Sequence, residues 1–312
     1  MSGSKNPSPT IYPCYFTGSY FCLIGSPIRH SKSPPLHREW FQKFHLNHIY
    51  FRMEIPSAAD FLRMLPILMA DNLFRGANIT IPHKETSLQL AAPLEVGKAS
   101  VVLSPTVERV RAANTLFWNR PLGHWQLENT DVFGIKVSLD LLKSSLDLNP
   151  HDHYAAVVWG SGGAAKAAIH ALTKDSQCTG IFCLSRGAPL ETLKNVAYPS
   201  ALPIPVWEQG DLSSHPESVL SLSTFAKAFQ NFIGINATPL GMKSEMLPLG
   251  PFVLQNLFLA ESKKGAFFDM LYLETPMQSL CRSHGVPYLN GDTMLKEQAK
   301  KSFQLWTGDL PD

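Results

Sequence analysis

Apolar residues change their period along the chain in an orderly way. YFCLIG, Tyr20 to Gly25, is apolar on both faces, whereas PLHREWFQKF carries Leu36, Trp40, Phe41 and Phe44 at helical spacing. The first predicts a short buried strand. The second predicts an amphipathic helix with Ser33 as N-cap and Pro34 at its first position. HIYFRMEI reads as the next strand, and Ser57 as the cap of a helix over AADFLRMLPILMA. In GANITIPHKE, Asn78 to Ile81 alternate polar and apolar, the period of a strand with one face in a core. Pro82 breaks that run, and HKETSLQLAA continues as a helix. NTLFWN and HWQLEN predict two short strands around a turn at Pro121–Gly123.

A second series begins after NTDVFGIKVSLDLLKSSLDLNPHDH. YAAVVWG is a fully apolar strand, GGAAKAAIHALTK a helix and GIFCLSRG another strand. NFIGINATP and KGAFFDMLY are again apolar on both faces, as central parallel strands are. DTMLKEQAKKSFQLW is an amphipathic helix with Met294, Leu295, Ala299, Phe303 and Trp306 on one side. Strand–helix alternation of this kind argues an α/β layer architecture. The chain has 312 residues, and at about 150 residues per domain two domains are expected.

Composition narrows the function classes. Hydrophobic residues make up 45% and charged residues 17%, with a formal charge of +2 and scattered lysines and arginines. That pattern points away from a nucleic-acid or acidic-membrane partner. No run approaches the ~20 apolar residues of a membrane span. The opening MSGSKNPSPT lacks the apolar core of a signal peptide and reads as a disordered lead-in, so a cytoplasmic location is expected. The five cysteines, Cys14, Cys22, Cys178, Cys183 and Cys281, form no C-x-x-C pair. They read as reduced, mostly buried thiols, and no metal site is expected.

Two stretches suggest chemistry. VVWGSGGAAKAAIHAL sets Gly160, Gly162 and Gly163 between a strand and a helix, where small residues let the backbone approach a pyrophosphate at the helix N-terminus. A tight turn with no ligand would prefer glycine as well. The next strand ends about 20 residues on, where an acidic residue suits the NAD ribose and an arginine the NADP 2′-phosphate. CLSRGAP offers Ser185 and Arg186 with no carboxylate, which favours NADP over a merely solvated arginine. In the other stretch Asn78, Thr80 and Lys84 share one strand edge. Amides and hydroxyls there suit a polyhydroxy acid. On the residues alone, Lys84 reads better as a solvated lysine than as a catalyst, Asp131 equally well as a helix cap, and Ser33 as a cap.

Taken together, these motifs resemble the shikimate dehydrogenase family. GSPIRHSKSP, NITIPHKE, AANT, ENTDVFG, GSGGAA, INATPLGM, FDMLY and NGDTMLKEQAKKSF occur in the family's order, from about residue 23 to residue 308. The resemblance implies an α/β fold with a substrate domain over residues 16–128 and 290–312 and a Rossmann-type NADP-binding domain over 129–289. The C-terminal helix would return to the substrate domain.

The resemblance also implies an oxidoreductase acting on a CH–OH group, interconverting 3-dehydroshikimate and shikimate with NADP on the route to chorismate and aromatic amino acids. Lys84 and Asp131 would flank the reacting oxygen as catalytic residues. Ser31 and Ser33 would bind the substrate carboxylate, and Asn78, Thr80, Asn114 and Gln298 its hydroxyls, with Tyr272 nearby. Gly160, Ser161, Gly162, Gly163, Ala164, Ser185, Arg186, Thr238, Met242 and Gly291 would hold the cofactor. His83 is read as a neighbour of Lys84 and not as a catalyst. The partners implied are a small-molecule substrate, no nucleic acid and no membrane, in a monomer or homodimer. Two further readings stand beside this one: a quinate/shikimate dehydrogenase using NAD, and a non-catalytic nucleotide-binding paralogue.

Overall fold

A computed structural model of the chain describes residues 18–91, 101–185, 206–208, 222, 224–242 and 263–312. The N-terminal half contributes β1 (Tyr20–Gly25), α1 (Ser33–Lys43), β2 (Ile49–Glu54), α2 (Ala58–Ala70) and β3 (Phe74–Ile79). A 3-10 turn (Thr86–Ala91), β4 (Val101–Leu103), α3 (Pro105–Val110), β5 (Thr115–Asn119) and β6 (His124–Glu128) follow. Their six strands form one mixed sheet in the order β2-β1-β3-β5-β6-β4.

Strand direction in this sheet decides where the polar residues gather. β1 is parallel to β2 and β3, β5 is antiparallel to β3, and β6 is antiparallel to β5. The carboxyl ends of β1, β3 and β6 and the amino end of β5 therefore share one edge. Segments distant in sequence, after Gly25, after Ile79, before Thr115 and after Glu128, meet there. Register fixes the meeting: Asn78 pairs with Thr115, and Thr115 with Glu128.

The second half adds α4 (Asp131–Ser145), β7 (Tyr154–Trp159), α5 (Gly163–Thr173), β8 (Cys178–Ser185) and β9 (Val206–Glu208). It then adds β10 (Asn231–Asn236), β11 (Lys264–Asp269), α6 (Pro276–Ser283), β12 (Tyr288–Leu289) and α7 (Gly291–Thr307). All its strand pairs are parallel, in the order β12-β11-β10-β7-β8-β9. β7 is buried along its whole length, as a central strand covered on both faces must be. The chain runs outward from β7 through β8 and β9, then returns to β10 and runs the other way. The crevice at the carboxyl ends of β7 and β10 is thus a topological switch point, where sheets of this kind bind ligands.

α7 returns to the first sheet because its apolar side matches it. Ala299, Phe303 and Trp306 are buried with Phe21, Trp40 and Phe41. The Trp306 indole donates to the Leu116 carbonyl at 3.0 Å. Gly76 lies directly beneath that indole, where a β-carbon would collide with it. α7 also lies close to α4, since a β-carbon on Gly134 would come within 2.5 Å of the Met294 carbonyl.

Several local expectations are corrected. Ser33 is the first residue of α1 and not its cap; Lys32 occupies that position, and its side chain makes no capping bond. The Ser33 N–H instead donates to Ser31 Oγ at 3.2 Å. β3 stops at Ile79, and HKETSLQLAA forms only the 3-10 turn from Thr86. The backbone there is already committed, with the Lys84 carbonyl accepting from Ala113 N and Ser87 Oγ, each at 2.8 Å. α4 caps on Thr130, so Asp131 is the first helical residue. β4, α3, β9, α6 and β12 carry no pattern strong enough to predict.

Cys22, Cys178, Cys183 and Cys281 are free and buried, and burial pushes the thiols of the last three up to about 12. Cys14 and the opening segment lie outside the described residues. No helix among the described residues is long and apolar enough to cross a membrane.

Candidate active site

The shared edge of the first sheet carries an ion pair at its centre. Lys84 Nζ lies 2.5 Å from Asp131 Oδ2, with side chains 18% and 6% exposed. The other oxygen, Oδ1, accepts from Asn114 Nδ2 at 2.9 Å. One amide thereby fixes the rotation of the carboxylate and leaves Oδ2 to the amine. Asn114 is itself held, because its Oδ1 accepts from the Thr130 N–H at 2.7 Å. Gln298 Oε1, arriving from α7, accepts from Asn114 Nδ2 at 3.2 Å.

A second network lies behind. Tyr50 donates its phenolic O–H to Asn78 Oδ1 at 2.8 Å. Burial raises the Tyr50 pKa well above its ordinary value, so the phenol stays a donor. With its oxygen occupied, Asn78 points Nδ2 at Ser302 Oγ, 3.0 Å away, and at Thr115 Oγ1, 3.3 Å away. Buried polar groups that are all paired rigidify a site. Tyr50, Thr115, Thr130 and Ser302 were not singled out in the sequence. Ser302 sits one helical turn beyond Gln298, the one spacing that could have signalled it.

At the mouth, Ser31 Oγ and Ser33 Oγ are 3.3 Å apart, and the Ser31 carbonyl accepts from Arg52 Nη2 at 2.6 Å. Two neighbouring hydroxyls on a rigid turn can donate together to a carboxylate. Lys32, between them, pairs with Asp292 at 2.6 Å and lies 5.1 Å from the Tyr272 ring centre. Thr80 is half-buried at the end of β3. His83 is fully buried, stacked on Phe61 at 4.5 Å, with Nε2 2.6 Å from the Ile55 carbonyl. Its ring is thus packed in the core.

The glycine turn stands opposite. Gly160 has φ +115°, and a β-carbon there would come within 3.0 Å of the Ala237 carbonyl from the β10 loop. Gly162 caps α5, and a β-carbon on it would meet nothing within 4 Å, so the space before the helix is open. A β-carbon on Gly163 would lie 3.2 Å from Ala112 Cβ and 3.5 Å from Lys84 Cβ. The α5 N-terminus, with its unpaired N–H groups, is therefore set beside the Lys84–Asp131 pair, as a phosphate-bearing dinucleotide requires.

Ser161 and Ala164 in this turn are half-buried, as is Met242 after β10, and Thr238 Oγ1 donates to Asn236 Oδ1 at 2.7 Å. Gly291 is needed for close packing: a β-carbon there would collide with the Met270 carbonyl. β8 ends at Ser185, while Arg186 lies outside the described residues. No group of His, Cys, Asp or Glu among the described residues could hold a metal ion.

A parallel, switch-pointed sheet beside a mixed sheet, with a Lys84–Asp131 pair near the head of α5, is the architecture of an α/β enzyme with a ligand crevice at the switch point. Residues 23–116 match the family model described as shikimate dehydrogenase substrate binding domain. The chain is 32% identical to a shikimate dehydrogenase (NADP(+)) of Ignicoccus hospitalis, over 93% of this chain and 94% of that one. It is 30% identical to the Thermotoga maritima protein of the same name, over 92% of each. The solved shikimate dehydrogenase of Thermotoga maritima superposes with a TM-score of 0.65 at 29% identity, covering 92% of this chain and 93% of that one. The chain belongs to the shikimate dehydrogenase family.

Proposed function

We propose that this protein is an NADP-dependent shikimate dehydrogenase, reversibly reducing 3-dehydroshikimate to shikimate on the route to chorismate and the aromatic amino acids. The observation that carries this is the Lys84–Asp131 pair set against the glycine turn at the head of α5. The relatives named above bear that activity in their names.

In this reading, Ser31 and Ser33 donate to the substrate carboxylate. Asn78, Thr80, Asn114 and Gln298 orient the ring hydroxyls, with Tyr272 closing the mouth. Gly160, Ser161, Gly162, Gly163 and Ala164 cradle the pyrophosphate, and Thr238, Met242 and Gly291 border the nicotinamide end. Ser185 and Arg186 receive the adenosine ribose and its 2′-phosphate. Bound NADP supplies or accepts the hydride at the secondary alcohol carbon.

The residues of the chain handle the remaining proton. Lys84 gives a proton to the substrate oxygen as a carbonyl becomes an alcohol, and takes it back in the reverse direction. Asp131, with Oδ1 fixed by Asn114, holds the amine in line with that oxygen. Residues 16–128 with 290–312 form the substrate domain and 129–289 the cofactor domain. The enzyme acts in the cytoplasm.

Initial rates with shikimate and with quinate, each against NADP and NAD, test the proposal. Shikimate with NADP should be the fastest combination, and Arg186→Ala should weaken NADP far more than NAD. Quinate with NAD as the preferred pair would replace this reading by a quinate/shikimate dehydrogenase.

A further inference from the structure

The carboxyl ends of β10 and β11 hold a carboxylate that the proton chemistry above does not use. Asn236 and Asp269 close these two parallel strands side by side, in register, and both are fully buried. Asp269 Oδ1 accepts from Asn236 Nδ2 and from the Leu271 N–H, each at 3.1 Å. Its Oδ2 accepts from Thr275 Oγ1 at 2.6 Å and from Gln278 Nε2 at 3.5 Å. Burial pushes this carboxyl upward, and the four bonds, Thr275 first, draw it back. Every one of these partners donates, and a carboxylate, which only accepts, can take them all.

Each partner fixes a loop. Asn236 Oδ1 accepts from the Thr238 N–H and hydroxyl, at 3.1 and 2.7 Å, and so shapes the loop after β10. That loop abuts the glycine turn, because the Ala237 N–H donates to the Trp159 carbonyl at 2.9 Å, immediately before Gly160. The Leu271 carbonyl, in the loop after β11, accepts from the Gly291 N–H at 3.0 Å and so ties down the head of α7. Thr275 caps α6, accepting from the Gln278 N–H at 3.3 Å. It also packs on the first loop, since a β-carbon on Gly241 would lie 3.2 Å from Thr275 Cβ. Burying a charge costs stability unless its hydrogen bonds are complete, and a completed network rigidifies what it joins.

We propose that Asp269 is a positioning residue for hydride transfer, the anchor that holds the loops after β10 and β11 in a fixed place against the glycine turn. This rests on the assignment of Thr238, Met242 and Gly291 to the nicotinamide end of the cleft. Asp269 is too deeply buried to touch a ligand, and it acts through Asn236, Leu271 and Thr275. Loosening these bonds widens the range of positions open at that end of the cleft, and a misplacement of about 1 Å can slow a reaction about a hundredfold.

Asp269→Asn sets an N–H against one pair of donors, and Thr275→Val removes one donor outright. Titration calorimetry with NADP, steady-state rates with shikimate and NADP, and urea unfolding, all on the full chain, test the proposal. At temperatures where they remain folded, both variants should bind NADP at least about fivefold more weakly and lose about ten- to a hundredfold in kcat. The KM for shikimate should change less, because the serine turn belongs to the first sheet. Thr275→Ser, which keeps the hydroxyl, should lose much less than Thr275→Val. If Asp269→Asn does not fold, the comparison of Thr275→Val with Thr275→Ser decides by the same measurements. A lower urea midpoint with parent-like NADP affinity and kcat would show a merely structural carboxylate and overturn the proposal. Equal losses in Thr275→Ser and Thr275→Val would overturn it as well. A parent protein that binds no NADP and leaves shikimate unoxidised would overturn the underlying assignment, and the proposal with it.

Discussion

Asn114 donates its side-chain amide to Asp131 Oδ1 at 2.9 Å, across 17 positions of chain. Lys84 Nζ lies at the other oxygen, so the carboxylate bridges a strand-edge amide and a loop amine. Two separate effects on catalysis follow. Lys84→Ala should lower kcat by roughly 100-fold or more with a modest change in KM, because the proton donor at the reacting oxygen is gone. Asn114→Ala should cost less, since it frees the carboxylate to rotate but keeps the amine. Steady-state kinetics on both variants checks the order; activity of Lys84→Ala within a few-fold of the parent would remove that residue from the mechanism.

Ser31→Ala and Ser33→Ala should raise the KM for shikimate while leaving NADP nearly unaffected. A hydrogen bond to a charged group is worth about 1.5–3 kcal/mol, so an effect of about ten- to a hundred-fold is expected. Ser31 Oγ also accepts from the Ser33 N–H, so its loss should lower stability slightly as well. If NADP binding weakens instead, the serines belong to the other half of the cleft.

Gly76→Ala should destabilise the fold without touching the reacting pair. The added methyl would collide with the Trp306 indole and come within 2.5 Å of the Leu116 carbonyl, so either α7 or β5 must shift. Forcing a methyl into a filled core costs about 1–3 kcal/mol. Urea unfolding should show a lower midpoint with an unchanged slope. A parent-like midpoint would mean that α7 is held less tightly than its packing implies.

His37 should make the protein acid-sensitive. It is fully buried, stacked on Tyr50 at 4.4 Å, and neither ring nitrogen meets a partner in bonding geometry although Asn78 lies near. Burial lowers its pKa from 6.5 to about 3, so the unfolded chain binds a proton that the folded chain refuses. Stability is complete above the unfolded value and falls as pH drops from there toward about 3, by about 1.4 kcal/mol per unit at most. Urea unfolding across this range should show His37→Leu with a shallower decline than the parent. Identical slopes would show that His37 does not contribute.

The sequence by itself determined the type of the longer strands and helices and their α/β alternation, since a period of about two or about 3.6 residues is a local property that one burial face imposes. It placed β7 as a central strand, ended it in the glycine turn, and put Ser57 at the head of α2, where the structure has them. The tertiary structure alone decided what meets at the edge of the first sheet. Asp131 reads equally well as a cap until the antiparallel pairing of β5 with β6 carries it to Asn114. Tyr50, Thr115 and Ser302 carry no motif, because each matters only through the partner that strand register or helix return brings to it. The short 3-10 turn after Lys84 was likewise invisible, because its form is dictated by carbonyls already engaged with Ala113 and Ser87 and not by its own periodicity. Local pattern is written in neighbours along the chain, whereas a site assembled from four strand ends is written in hydrogen bonds between segments that the chain keeps far apart.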